Sequence, residues 1–103
     1  MTIDPQVISD RLRRLDQYLV ALRRLAQLPQ DQLIKDPVPL GSAQRYLQVS
    51  IEACLDIANH IIAAKRLRPP RDYADAFAVL AEASLLPMEF LPVAQRMARF
   101  RNR

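Results

Sequence analysis

The sequence predicts an all-α fold, an antiparallel bundle of four main helices in a single domain. Three observations carry this expectation. Apolar residues recur at alternating spacings of three and four over most of the chain, the period of one helix face. No segment alternates apolar and polar residues convincingly as a half-buried strand does. The connections between periodic runs are short and marked by proline, which favours antiparallel neighbours. The chain has 103 residues, half of them hydrophobic. That supports one core of modest size, which a partner chain would help to bury.

The first helix is expected from about Asp4 to Leu28. Asp4 suits the cap and Pro5 the first helical position. Ile8, Leu12, Leu15, Leu19, Leu22 and Ala26 form its seam, with Arg13, Asp16, Gln17, Arg24 and Gln27 largely outside it. Pro29 begins a connector up to Pro39, with one turn of helix at 30–35. A second long helix runs from about Leu40 to Lys65. It carries one apolar stripe of Ala43, Leu47, Ser50, Cys54, Ile57 and Ile61 beside another of Ile51, Leu55, Ala58 and Ile62. So wide an apolar surface implies burial against more than one neighbour. Asp72 then caps a third helix, Tyr73 to Ser84, whose inner face should include Tyr73, Ala76, Phe77 and Leu80. Leu86-Pro87 leads into a fourth helix, its regular part starting near Pro92 because proline is tolerated only in the first turn. Leu91, Ala94, Met97 and Ala98 should point inward.

Composition removes several classes of function. A single cysteine, Cys54, allows no internal disulfide and suits a reducing, cytoplasmic setting. It lies on an apolar stripe and reads as a small core residue rather than a nucleophile. One His and one Cys make no zinc-ligand cluster, and the single glycine, Gly41, makes no glycine-rich phosphate loop. No metal or cofactor is therefore expected. No signal peptide and no membrane span are legible. The formal net charge is +4. It suits an anionic partner such as RNA, and solvated arginines on a helical surface give the same figure.

The second long helix carries one polar strip. Arg45, Gln48, Glu52, Asp56 and Asn59 fall within about 80° of arc at 100° per residue, with His60 at one edge. Glu52 and Asp56, four residues apart, are like charges facing each other, and a cation from another helix would relieve them. Arg96, Arg99 and Arg101 on the last helix are candidates. The strip is read either as the wet face of the helix or as a polar cleft between the second and last helices. His60, beside Asn59, reads more readily as a hydrogen-bonded structural residue than as an acid–base catalyst, because no nucleophile accompanies it.

Several segments together resemble the HepT-like branch of the HEPN superfamily. They are the run from Arg45 to Ile62; Tyr73-Ala74-Asp75-Ala76-Phe77 with Leu80, Glu82 and Leu86-Pro87; and Met97-Ala98-Arg99-Phe100-Arg101-Asn102-Arg103. The resemblance covers residues 3–103 in order and spacing. It implies a HEPN helical bundle, usually a homodimer, acting as the toxin of a bacterial toxin–antitoxin pair. The implied partner is a minimal nucleotidyltransferase antitoxin. The family motif is Arg-x4-His, commonly followed by x-Tyr, the tyrosine being one the antitoxin can adenylylate. Arg101 matches the arginine and Asn102 the usual next residue. The histidine falls at position 106, beyond the sequence, and Arg99 stands where a small residue is usual.

The implied chemistry is metal-independent RNA cleavage, in which a 2′-hydroxyl attacks the adjacent phosphate. Histidine is the residue type suited to take that proton, and arginine stabilises charge on the phosphate oxygens with a permanently charged fork. Two positions five apart on a helix diverge by about 140°, so a distorted helix or a site shared across a dimer is needed to converge them. The expectations are thus Arg101 as phosphate and transition-state binder, with Asn102, Glu52, Asp56 and Asn59 in support. The C-terminal part of the family domain is expected to be absent, and the 103 residues alone inactive. A non-catalytic helical module that docks a nucleotidyltransferase is the alternative.

Overall fold

The computed structural model describes residues 4–101. Among these, five α-helices and one 3-10 turn occur, and no strand. The helices are α1 (Pro5–Ala26), α2 (Gln30–Lys35), α3 (Pro37–Ala64), α4 (Tyr73–Glu82) and α5 (Leu91–Arg101). Four main helices and the short turn at 30–35 are as the sequence predicts.

Helix starts follow local capping chemistry. The Asp4 carboxylate accepts from the Gln6 amide at 2.9 Å, and Asp72 accepts from the Asp75 amide at 2.7 Å. The start of α3 is three residues earlier than the sequence suggests. Asp36 accepts from the Val38 amide at 3.0 Å, and Pro37 opens the first turn. Both Pro37 and Pro39 lie where an amide would lack an intrahelical partner, so neither interrupts the helix.

Two helix ends are tighter than the sequence suggests. Arg66 (φ 54°) and Ser84 (φ 62°) adopt the left-handed conformation without being glycine. Leu67 then donates to the Ile62 carbonyl at 3.0 Å and Leu85 to that of Leu80 at 2.9 Å. Each is a Schellman-type stop, with an apolar residue after the turn facing one in the last turn. At α5, the 3-10 turn Met88–Phe90 precedes Leu91, and Pro92 occupies the first turn as expected.

α1 and α3 run antiparallel. Asp4 meets His60, Arg11 meets Asp56, and Tyr18 packs its ring 6.2 Å from that of Tyr46. α4 and α5 pack on the other side of α3. The core joins Ile51, Leu55, Ala58 and Ile62 of α3 to Ala76, Phe77, Val79 and Leu80 of α4 and to Ala94 and Ala98 of α5. Ala94 and Ala98 are small enough for α5 to lie close against its neighbours.

Three expectations about faces are corrected. The partly buried seam of α1 is Ile8, Arg11, Leu15, Tyr18, Leu22 and Leu25, whereas Leu12, Leu19 and Ala26 are exposed. The seam is rotated because long amphipathic side chains, Arg11 and Tyr18, find partners on α3 and lie along it. Leu47 is also exposed, and Tyr73 is 43% exposed rather than inward.

Candidate functional site

The polar strip of α3 lies between α1 and α5. Glu52 and Asp56 are one turn apart on it, and each meets an arginine from a different neighbour. Arg101 Nε of α5 stands 3.6 Å from Glu52 Oε1, and Arg11 Nε of α1 stands 3.6 Å from Asp56 Oδ2. The sequence suggests Arg101 as a partner for the strip. Arg11 is the cation it does not suggest.

Tyr73 also meets Arg101. Its ring centroid lies 4.9 Å from the Arg101 guanidinium carbon, within reach for a cation–π contact. Glu52, Leu55, Asp56, Asn59, Tyr73 and Arg101 line one shallow pocket. The pocket therefore gathers three supporting candidates, Glu52, Asp56 and Asn59, around Arg101. Asn102 lies outside the described residues. Arg45 and Gln48 continue the strip away from this pocket, with Gln48 lining a second pocket beside Gln44, Phe100 and Arg101.

Tyr73 was legible only as an aromatic in register with Ala76, Phe77 and Leu80. As the first residue after the Asp72 cap it stands at the end of the α4 core face, where Arg101 covers its ring. Arg11 carried a fainter signal: spacings of three and four through 8, 11, 15, 18, 22 and 25 fit a helix face as well as the all-aliphatic set.

His60 lies apart from the pocket. Its Nε2 accepts from the Asp4 amide at 3.2 Å, fixing the start of α1 to α3, as a structural histidine would. Cys54 is partly buried, and burial raises its thiol above the usual range, which keeps it in the unreactive thiol form. Among the described residues no three His, Cys, Asp or Glu side chains are grouped to hold a metal ion.

A second ionic cluster stands behind α4. Arg68 donates to Asp75 through both Nη1 and Nη2, at 2.8 and 2.9 Å, and through Nε to Glu82 at 2.9 Å. The Arg71 amide also donates to Asp75 at 2.9 Å. The Arg68 bonds first, and the Arg71 amide second, hold the Asp75 carboxyl well below the usual range. The same pairing raises Arg68. This cluster ties the α3–α4 loop to α4 and fixes where Tyr73 begins.

What the pocket offers a phosphate is the Arg101 fork and the Asn59 amide, with the Glu52 and Asp56 carboxylates competing for the nearby cations. Residues 8–103 match the family model of ribonuclease HepT-like proteins. The chain belongs to the ribonuclease HepT-like family. It is 35% identical over 77 residues to the mRNA nuclease HepT of Shewanella oneidensis strain MR-1, a match covering 75% of this chain and 54% of that protein. The match thus spans about half the length of that curated relative. A crystal structure of a toxin–antitoxin pair with AMP-PNP superposes with a TM-score of 0.89 at 26% identity, covering 94% of this chain and 73% of the other. The tri-AMPylated Shewanella oneidensis HEPN toxin in complex with its MNT antitoxin gives a TM-score of 0.88 at 25% identity, covering 96% and 74%. The HepT-like helical fold expected from the sequence is thus confirmed. No helix among the described residues is long and apolar enough to cross a membrane.

Proposed function

We propose that this HepT-like domain belongs to the toxin of a bacterial toxin–antitoxin pair, a metal-independent endoribonuclease acting in the cytoplasm. Arg101 binds the phosphate under attack. The 2′-hydroxyl displaces the 5′-oxygen of the next nucleotide, leaving a 2′,3′-cyclic phosphate and a 5′-hydroxyl. The family histidine, whose place in the motif is position 106, is the group suited to take the proton. The observation that carries the reading is the setting of Arg101, between the ring of Tyr73 and the carboxylate of Glu52 in a pocket that also holds Asp56 and Asn59. Charge and orientation are both supplied before substrate arrives. Asn102 continues the motif in the family pattern, and residues 1–103 form one HEPN-like domain within it.

The partners follow the same reading. A nucleotidyltransferase antitoxin of the MNT type restrains the toxin, as in the relative solved with its MNT antitoxin. A second copy of the chain packs on the largely apolar groove of Leu47, Ile51, Val93, Met97 and Phe100, which Arg96 also lines. That groove adjoins Arg101, so a dimer brings two motifs together.

The test uses the protein expressed from its native reading frame, with RNA cleavage followed in EDTA. Arg101→Gln should lower cleavage by about a hundredfold or more, the scale of a lost charge-stabilising group. Cleavage that survives this substitution, or that stops on chelation, would refute the proposal. Cleavage absent from the parent protein while it still binds a nucleotidyltransferase would favour a docking module.

A further inference from the structure

Arg11 meets the polar strip at Asp56, and the proposed chemistry leaves it without a role. It stands on α1, opposite Arg101 on α5, and α3 lies between them. Its partner Asp56 follows Glu52 by four residues, so their Cα atoms are about 6 Å apart along the helix axis. Each pairs with its arginine through Nε at 3.6 Å, longer than a direct hydrogen bond.

The two pairs differ in how they are held. Arg101 rests on the ring of Tyr73, and its side chain is 31% exposed. Asp56 is 63% exposed. Arg11 itself is 34% exposed, close to the value for Arg101, so the difference lies in the carboxylate, and a pair of this length with one exposed partner is weak. A phosphodiester also offers two anionic oxygen acceptors that a guanidinium fork can bind, so it can replace Asp56 at Arg11. Among the described residues Asp56 is paired with Arg11 alone, so freeing that carboxylate is the cost of the exchange.

We propose that Arg11 is a second RNA-backbone site, binding the phosphate next to the one held at Arg101. This rests on the ribonuclease reading of the Arg101 pocket. Arg101, fixed by its neighbours, acts on the phosphate being cleaved. Arg11, held by an exposed carboxylate, exchanges that carboxylate for the adjoining phosphate and sets the strand along α3.

The probe is a short 2′-O-methyl oligouridylate, which lacks the attacking hydroxyl, bound to the native-frame protein between about 50 and 200 mM salt. Arg11→Gln should weaken binding by about threefold to fivefold, within the range of an exposed pair. It should also reduce the salt slope by about 0.7, the value for one phosphate contact on a single strand. Arg11→Lys, which keeps the charge, should retain the slope. Asp56→Asn separates this role from a purely structural one. It releases Arg11 from its competitor and should tighten binding, whereas a tie between α1 and α3 makes Asp56→Asn and Arg11→Gln weaken binding alike. Parallel losses, or an unchanged salt slope in Arg11→Gln, would overturn the assignment. If the parent cleaves RNA through Arg101 and the Arg11 slope is unchanged, only the second site fails. If the parent neither binds nor cleaves RNA, both readings fall.

Discussion

A guanidinium serves a reacting phosphate only when its fork is aimed, and a long arginine side chain is not aimed by its own backbone. Tyr73 supplies part of that aim, because its ring lies under the guanidinium of Arg101. The ring face rather than the hydroxyl makes the contact. Tyr73→Phe should therefore keep the cleavage rate of the native-frame protein. Tyr73→Leu should lower kcat by about threefold to thirtyfold, the span of cation–π contacts from exposed to partly dry. Equal losses in both variants, measured with one RNA substrate, would dismiss the ring. Sequence periodicity placed Tyr73 inward because aromatic residues usually are. Its exposure depends on where α4 begins relative to the end of α5, which no local pattern encodes.

Among the elements, α4 is the one whose position depends most on charge. Asp75 is buried at its first turn and receives both outer nitrogens of Arg68. Its carboxyl has a lower pKa in the folded protein than the ordinary value of about 3.9 in an unfolded chain. The resulting stabilisation is complete at neutral pH. It begins to fade as pH falls through about 4 and is lost as pH passes the folded value. Asp75→Asn should lower the thermal midpoint by several degrees at pH 7 and flatten its decline in acid, so that variant and parent converge. Circular-dichroism melts from neutral pH into acid check this, and parallel curves would contradict it. The caps Asp4 and Asp72 were legible because capping is local chemistry. The stops at Arg66 and Ser84 were not, since neither residue is the glycine that usually marks a left-handed turn.

The whole molecule is elongated, 46 × 27 × 21 Å, with a radius of gyration of 15.3 Å. A compact chain of this length is nearer about 13 Å. The excess reflects α3, whose 28 residues span about 42 Å. Its buried residues begin only at Ser50, and α1 has none fully buried. One end of α3 is therefore thinly covered, and Leu47, Val93 and Phe100 remain exposed along its contact with α5. The proposed dimer covers this groove. Phe100→Asp should convert a dimer into a monomer in gel filtration with light scattering, because a buried carboxylate without a partner is costly. An unchanged mass would place the dimer contact elsewhere or remove it.

The sequence by itself determined the all-α class, the caps Asp4 and Asp72, the apolar stripes of α3 and the family, for these depend on spacing and on residue type within a few turns. It also nominated Glu52, Asp56 and Asn59, since a polar strip on an apolar helix is visible in a line of text, and Arg101 through the resemblance to the family motif. The tertiary structure decided which cation meets which carboxylate. Arg101 takes Glu52, Arg11 takes Asp56, and Tyr73 lies under the first of them. These are encounters between helices distant in sequence. They are set by the rotation of α1 and the offsets of α4 and α5 on α3, quantities fixed by packing rather than by periodicity.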